Sequence, residues 1–551
     1  MLTELDRKFD ETLAAVTGAG GRLVIGRDAQ GRAIVDNLPG TLPGLFRAFC
    51  ELNADKEAVV AGDERLTFAD LDRVSNQVAQ GLVARGIGKG DRVGIAMRNC
   101  PAWIVSYMGV IKAGGVATLL NGWWEPLEME HAIQLAEPKL IVADGPRAKR
   151  ISARCSGIDI LTLPIDLPVE EAMTELLGGD GCSLPELSPE DDATILFTSG
   201  STGESKGALS THRAVTTAAY AYATGLMVLL GILGSEGRAP TAQPRTLLSV
   251  PLFHVTGEVP VMINSFIVGR CMVIMPKWDA TEALRLIEKE KITYFVGVPT
   301  MSLELMNHPD RAKYDLSSLT DITAGGAPRP ITHVERLREE FPHAQPALGY
   351  GLTETNAAGC ANYWGNYAAK PASTGRAQKP YIELAILGVA DRHLRAGEVG
   401  EIGIRSAANI SGYWRNPEAT KALFTDDGYV RTGDVGYVDE DGYLFIVDRK
   451  KEIIIRGGEN ISAAEVEAEC YACPDVAEIA VFGIPDERLG EVPIAVVHTK
   501  NGLSEDDLRA FLEARIARFK IPARFIFSPE PLPKLGTGKI DRPSLKAQYA
   551  R

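Results

Sequence analysis

The sequence predicts an α/β protein. The expected parts are a large multi-subdomain N-terminal part on mostly parallel sheet, a β-rich section, and a small α+β C-terminal domain. Three observations carry this. Short unbroken apolar runs alternate with helical patterns over most of the chain. Near Gly397 the pattern changes to short strands divided by glycine turns. After Lys451 it becomes a compact alternation of strands and helices.

The elements follow in order. DRVGIAMRN reads as a strand, and WIVSYMGVIKAGGVATLL as a helix that ends at Gly114-Gly115 and leads into another. LIVAD, ATILFTS, TLLSVP, CMVIMP and YFVGVP repeat the short apolar run. Such runs, separated by helices, belong to parallel strands covered on both faces. Between Gly397 and Lys450, Asp441-Gly442 sits between apolar runs and marks a hairpin. Beyond Lys451 come KEIIIRGG, a helix from Ala463, the strands AEIAVFGIP and PIAVVHT, a helix capped by Ser504, and the strand RFIFS. The expected division is residues 1–450 and 451–551.

Composition narrows the function classes. A net charge of −14 disfavours a general nucleic-acid binder, so any anion site is local. The N-terminus mixes charges and has no apolar segment of signal-peptide type. Eight cysteines in so long a chain do not make a disulfide scaffold. Cys470 and Cys473 read as residues of a packed helix, because no second pair completes a zinc set. A cytoplasmic location is expected. The uncharged run from Ala214 to Ser235 has the length of a membrane span, yet threonines and glycines dilute it. It reads as a buried helix, with peripheral membrane contact as the alternative.

The strongest chemical motif is Thr198-Ser199-Gly200-Ser201-Thr202-Gly203-Glu204-Ser205-Lys206-Gly207, after the strand ATILF. Glycines let backbone N–H groups approach an anion, hydroxyls add donors, and Lys206 adds a charge. The order differs from the common P-loop, which ends in Gly-Lys-Ser/Thr. The loop is expected to run from a strand into a helix.

This loop resembles the phosphate loop of the acyl-adenylate-forming superfamily, in particular its acyl-CoA synthetase (fatty-acid–CoA ligase) branch. Ser205 stands where the family usually has proline. Further motifs resemble the family's in the same order. Pro251-Leu252-Phe253-His254 resembles the wall between acyl and pantetheine sites. Ala324-Gly325-Gly326-Ala327-Pro328 resembles the adenine-lining strand and turn. Gly349-Tyr350-Gly351-Leu352-Thr353-Glu354 resembles the adenine, phosphate and metal segment. Arg431-Thr432-Gly433-Asp434 carries the acid expected at the ribose. Asp448-Arg449-Lys450-Lys451 resembles the hinge, Gly457-Gly458-Glu459-Asn460 the loop beside the CoA thiol, and the segment Pro533 to Lys539 the loop of the catalytic lysine. Coumarate-ligase-like members carry a lysine where this chain has Ile455, so that contact is not carried over.

The resemblance implies a two-step reaction with ATP, Mg²⁺ and coenzyme A. A carboxylate attacks the α-phosphate of ATP to give an acyl-adenylate and pyrophosphate; CoA then gives acyl-CoA and AMP. The loop would hold the β- and γ-phosphates, Glu354 the Mg²⁺, and Thr353 beside it would be a catalytic residue. Lys539 would bridge α-phosphate and carboxylate. Asp434 would take the ribose hydroxyls, Arg449 would add a ribose or phosphate contact, and the Tyr350 ring would stack on adenine. His254 would be a wall or catalytic residue. The C-terminal domain would rotate about Lys451, exchanging Lys539 for the Gly457-Gly458 loop. Each side chain has a plainer role as well: Glu354 as a helix-start acid, Asp434 as a turn residue, Lys539 as a solvated charge, His254 as a core histidine.

The acid is expected to be medium-to-long or bulky and hydrophobic. The helix after the loop offers Tyr220, Tyr222, Leu226, Met227 and Leu230, and small residues follow His254 (Thr256, Gly257) and Glu354 (Ala357, Ala358, Gly359). Alternatives are an aryl-CoA ligase of benzoate or cinnamate type, an acyl-AMP ligase loading a carrier protein, and an inactive binding homologue. An amino acid would need a carboxylate near His254; Glu258 is close, but its segment is apolar. The resemblance also implies a homodimer.

Overall fold

The computed structural model describes residues 2–178, 182–198, 205–327, 329–449, 452–456, 459–535 and 538–549, with the side chains of 459 and 460 excepted. The expected parallel strands form. Among the described residues, a seven-stranded sheet contains Arg92–Ala96, Val116–Leu119, Leu140–Asp144 and Asp192–Thr198, all in parallel pairings. A thirteen-stranded sheet holds Arg245–Leu248, Cys271–Ile274, Tyr294–Gly297, Asp321–Gly325 and Gln345–Tyr350, again parallel to their neighbours.

The β-rich section is not a separate layer. Its strands Glu383–Leu387, Gly400–Arg405, Val430–Val438 and Tyr443–Arg449 are antiparallel and extend the thirteen-stranded sheet. They join it where Gly375 and Arg376 pair with Leu444 and Tyr443. The Asp441-Gly442 turn closes the expected hairpin, with Gly442 at φ 85°.

The uncharged run is the helix His212–Ser235, 24 residues long and capped by Thr211. Its length and composition would suffice to cross a membrane, but 72% of its most apolar window is buried inside the protein. It lies against the large core, which explains an apolar surface all round. The first helix, Glu4–Thr17, packs on it. That helix starts with a capping box between Thr3 and Asp6. Asp6 is buried and takes a hydrogen bond from the Tyr443 hydroxyl at 2.7 Å and one from Asn366 Nδ2 at 3.0 Å. Arg376 Nη1 lies 3.4 Å from the same carboxylate.

The C-terminal part has its own core. Strands Ile454–Arg456, Val476–Asp486, Gly490–Thr499 and Arg524–Ser528 form a sheet. Helices Ala463–Tyr471 and Glu505–Glu513 share one apolar cluster with it, and Leu545 belongs to a second. Ser504 caps the second helix, accepting from Asp507 N–H at 3.2 Å. Cys470 and Cys473 are buried free thiols in the first cluster.

Candidate active site

Three parallel strands, Tyr294–Gly297, Asp321–Gly325 and Gln345–Tyr350, pair side by side, and their C-terminal edges are the usual ligand position in such sheets. Gly326 follows with φ +75°, a conformation glycine tolerates without a Cβ penalty. The C-terminal part reaches in here. Lys539 Cε and Nζ lie 3.2 and 3.3 Å from where a Cβ on Gly326 would stand. Thr300 Oγ1 donates to the Gly538 carbonyl at 3.3 Å, and Lys534 pairs with Glu304 at 3.3 Å. Burial pushes the Lys539 ammonium down to about 8; the Arg449 charge adds to that, and Asp434 opposes it.

Asp434 and Arg449 are register partners on neighbouring antiparallel strands, and Arg449 Nε meets Asp434 Oδ1 at 3.1 Å. The Tyr350 hydroxyl donates to Asp434 Oδ2 at 2.7 Å. Asp434 is buried, and that burial raises its carboxyl above the ordinary value, while Arg449 pulls it back. Each carboxylate oxygen keeps a lone pair, so the group can still accept from a diol. Tyr350 itself is committed through its hydroxyl and is buried, with little of its surface uncovered.

Glu354 lies in a 3₁₀ turn, Thr353–Thr355. Its carbonyl accepts from Ile410 N–H at 3.0 Å, and Asn356, at φ 50°, donates to the Ala408 carbonyl at 2.8 Å. The turn is thereby tied to the chain beside the phosphate loop. Tyr413, which sequence reasoning missed, donates to Glu354 Oε1 at 2.7 Å, and its ring lies 4.9 Å below Lys206 Nζ. The only sequence trace of this is an aromatic pair after Gly412. His131 was missed too: its Nε2 meets the Ser205 carbonyl at 3.3 Å. Among the described residues no cluster of three or more metal-ligating side chains exists. That fits Mg²⁺, which commonly takes one or two carboxylates and fills its shell with phosphate oxygens and water.

The phosphate loop does not lead into a helix. Lys206–Thr211 is a strand that returns antiparallel to Asp192–Thr198, with Lys206 opposite Thr198, and the helix begins only at His212. Within the strand, Gly207, Ala208 and Ser210 are buried, while Lys206, Leu209 and Thr211 are partly exposed. Ser199, Gly200, Ser201, Thr202 and Gly203 lie outside the described residues, as do Pro328, Lys451, Gly457 and Gly458.

His254 is half-buried and pushed down to about 3, first by desolvation and then by the Lys539 charge, so its imidazole is neutral. Its Nδ1 accepts from Thr256 N–H at 3.3 Å. Phe253 packs edge-on against Trp123. Glu258 turns the other way, inside a π-helical segment Gly257–Ile263. It is fully buried; Tyr107 donates to Oε1 at 2.7 Å, and Oε2 has no partner.

Several expected pocket residues do not line open space. Ala357 and Ala358 are buried, and a Cβ on Gly359 would stand 2.4 Å from the Tyr350 carbonyl oxygen. These small residues let the 351–359 loop fold back on itself. Gly257 likewise makes room for the Pro251 carbonyl, 2.1 Å from its missing Cβ. Tyr220 points away and donates to the Pro39 carbonyl at 2.7 Å. Leu230 is exposed. Tyr222, Leu226 and Met227 are half-buried.

These strand ends thus lie beside the buried Asp434, its partner Arg449, and Lys539 from the C-terminal part. The AMP-binding enzyme family model matches residues 46–414, and that of the AMP-binding enzyme C-terminal domain matches residues 465–539. The chain belongs to this family and is an AMP-forming acid–thiol ligase that uses ATP, Mg²⁺ and coenzyme A. It is 34% identical over 536 residues to a long-chain-fatty-acid–CoA ligase of Bacillus subtilis (strain 168), covering 89% of this chain and 91% of that one. It is 31% identical over 536 residues to 3-[(3aS,4S,7aS)-7a-methyl-1,5-dioxo-octahydro-1H-inden-4-yl]propanoyl:CoA ligase of Rhodococcus jostii (strain RHA1), covering 93% and 99%. Among solved structures it resembles O-succinylbenzoate coenzyme A synthetase of Bacillus subtilis in complex with ATP and magnesium ion, with a TM-score of 0.77, 26% identity, and coverage of 91% and 99%.

Proposed function

We propose that the enzyme activates a medium-length or bulky hydrophobic acid and transfers it to coenzyme A. The observation that carries the chemistry is the seat of Lys539 on Gly326, beside the Asp434–Arg449 pair and facing His254. In this reading Lys539 is the adenylation lysine, Asp434 holds the ribose, Arg449 adds a ribose or phosphate contact, and Glu354 holds Mg²⁺. The neutral His254 walls the acyl site without adding charge. The 451–551 part is the unit that moves, with its hinge at Lys451. Two features support the acid class. The sheet face under the His212–Ser235 helix is open at Gly349, where an added Cβ would meet nothing within 4 Å. The Rhodococcus relative is named for a two-ring acid.

The test is CoA-dependent AMP release over straight-chain acids from acetate to palmitate, with benzoate, cinnamates and saturated two-ring acids alongside. A maximum at acetate or propionate, or a clear preference for a phenolic acid, would overturn the acid class. AMP release that never depends on CoA would favour a carrier-protein acceptor.

A further inference from the structure

Register places a row of partly exposed residues, Gly325, Thr323, Asp321 and Tyr294, on one face of the thirteen-stranded sheet. Residues paired across neighbouring strands share a face, and so do residues two apart. Gly325 pairs with Gly349, Asp321 with Tyr294, and Tyr294 with Thr246. Thr246 pairs with Met272, so Arg270, two residues earlier, continues the same face. On the other side Tyr363 pairs with Ala347, which pairs with Thr323. This face begins at Gly325 and Gly349, beside the adenylation lysine, where a Cβ on Gly349 would meet nothing within 4 Å. Tyr363 stands two strand residues lower, about 7 Å, Tyr294 four residues lower, about 13 Å, and Arg270 two residues beyond that. A Cβ on Gly225 of the covering helix would stand 2.7 Å from the Tyr363 hydroxyl, so Tyr363 closes the space there.

This floor is polar, and two of its side chains, Arg270 and Thr246, carry buried polar atoms without partners. Arg270 is 4% exposed, and its Nε and Nη1 are buried with no hydrogen-bond partner. Its guanidinium lies 4.3 Å over the Tyr294 ring. Thr246 Oγ1 on the same face is also buried and unpartnered. Buried guanidinium groups are normally paired, because unmade hydrogen bonds in a dry site are costly. Asp321 acts on Arg270 electrostatically, and its own oxygen already accepts from Trp364 Nε1 at 2.9 Å. The floor thus holds one countercharge and free donors.

We propose that the acid carries an uncharged acceptor oxygen, a keto group, at the end far from its carboxylate, and that Arg270 receives it as the specificity-determining residue. This rests on the ligase reading above. A second carboxylate fits less well, because it would meet Asp321 in a site with little water. A plain hydrocarbon end would leave the Arg270 donors unmade, and a site built to hydrogen-bond a substrate oxygen discriminates strongly against the analogue that lacks it.

The experiment compares kcat/KM for matched two-ring or medium-length acids that differ only at the far end: hydrocarbon, ketone, carboxylate. The wild-type enzyme is expected to favour the ketone over the hydrocarbon by about 10- to 100-fold. In R270M the ratio falls towards one, and in R270K it recovers in part. A wild-type ratio of one or below overturns the proposal whatever the variants do, and so does a preference for the carboxylate. If none of the acids supports AMP release, the ligase reading itself fails; if the hydrocarbon acids turn over as well as the ketones, only the present inference does.

Discussion

Glu258 offers a sharp thermodynamic test. Its carboxyl is fully buried beside Tyr107, and burial raises it to about 7 from an ordinary value of 4.5, with the Tyr107 hydrogen bond opposing the rise. The folded value lies above the unfolded one. Stability from the protonated carboxyl is therefore fully present below about 4.5 and is lost as the pH rises through about 7. That interval corresponds to about 3 kcal/mol. Glu258→Gln keeps the shape and the acceptor for Tyr107 but cannot ionise. The variant should match the wild type near pH 4.5 and exceed it progressively up to about pH 8. With an unfolding entropy near 2.1 cal/mol/K per residue over about 450 residues, the difference is about 3 °C in Tm. The assay is paired thermal and urea unfolding of both proteins at each pH, read as the difference between them. A difference that stays constant from pH 4.5 to 8 would refute the reasoning, since it would mean that Glu258 does not change its charge in the folded protein over this range.

Further outcomes are expected. Lys539→Ala should lower acid-dependent pyrophosphate exchange by at least about 10²-fold while sparing thioester formation from preformed acyl-adenylate; exchange within a few-fold of wild type would remove Lys539 from the adenylation step. Lysine is charged below its pKa, so kcat/KM for adenylation should fall as the pH passes about 8, and Lys539→Arg should move that limb upward. Gly349→Val should fold, since the space is open, yet lower kcat/KM for bulky acids about tenfold or more relative to acetate; an unchanged profile would show that this face does not hold the acyl group. Asp6→Ala leaves Tyr443 and Asn366 without their shared acceptor and should cost about 3 kcal/mol, seen as a lower urea midpoint.

The parallel strands were legible because a strand buried on both faces must be apolar throughout, and LIVAD or CMVIMP has no other economical use. The Asp441-Gly442 hairpin was legible from turn chemistry. What escaped was set by tertiary packing. Ala357 and Ala358 look like pocket residues, but small side chains serve a tight backbone crossing as well as a cavity. Lys206 to Thr211 is short, follows glycines and does not alternate strictly, so no strand period marks it in the sequence. Tyr413 and His131 carry no local signal, because their partners lie 59 and 74 residues away in sequence. Arg270 reads as an ordinary surface arginine at the start of a strand until the register turns it inward.

The first helix has a consequence for how the chain assembles. Asp6 is held by Asn366, Arg376 and Tyr443, so the opening segment is completed by residues that follow it by 360, 370 and 437 positions. Loop-closure entropy must be met before contacts so distant form, which makes them late events in folding. The helix Glu4–Thr17 therefore gains its full set of buried partners only once the strand Tyr443–Arg449 is made, so its most distant contacts tie the large part of the protein together last.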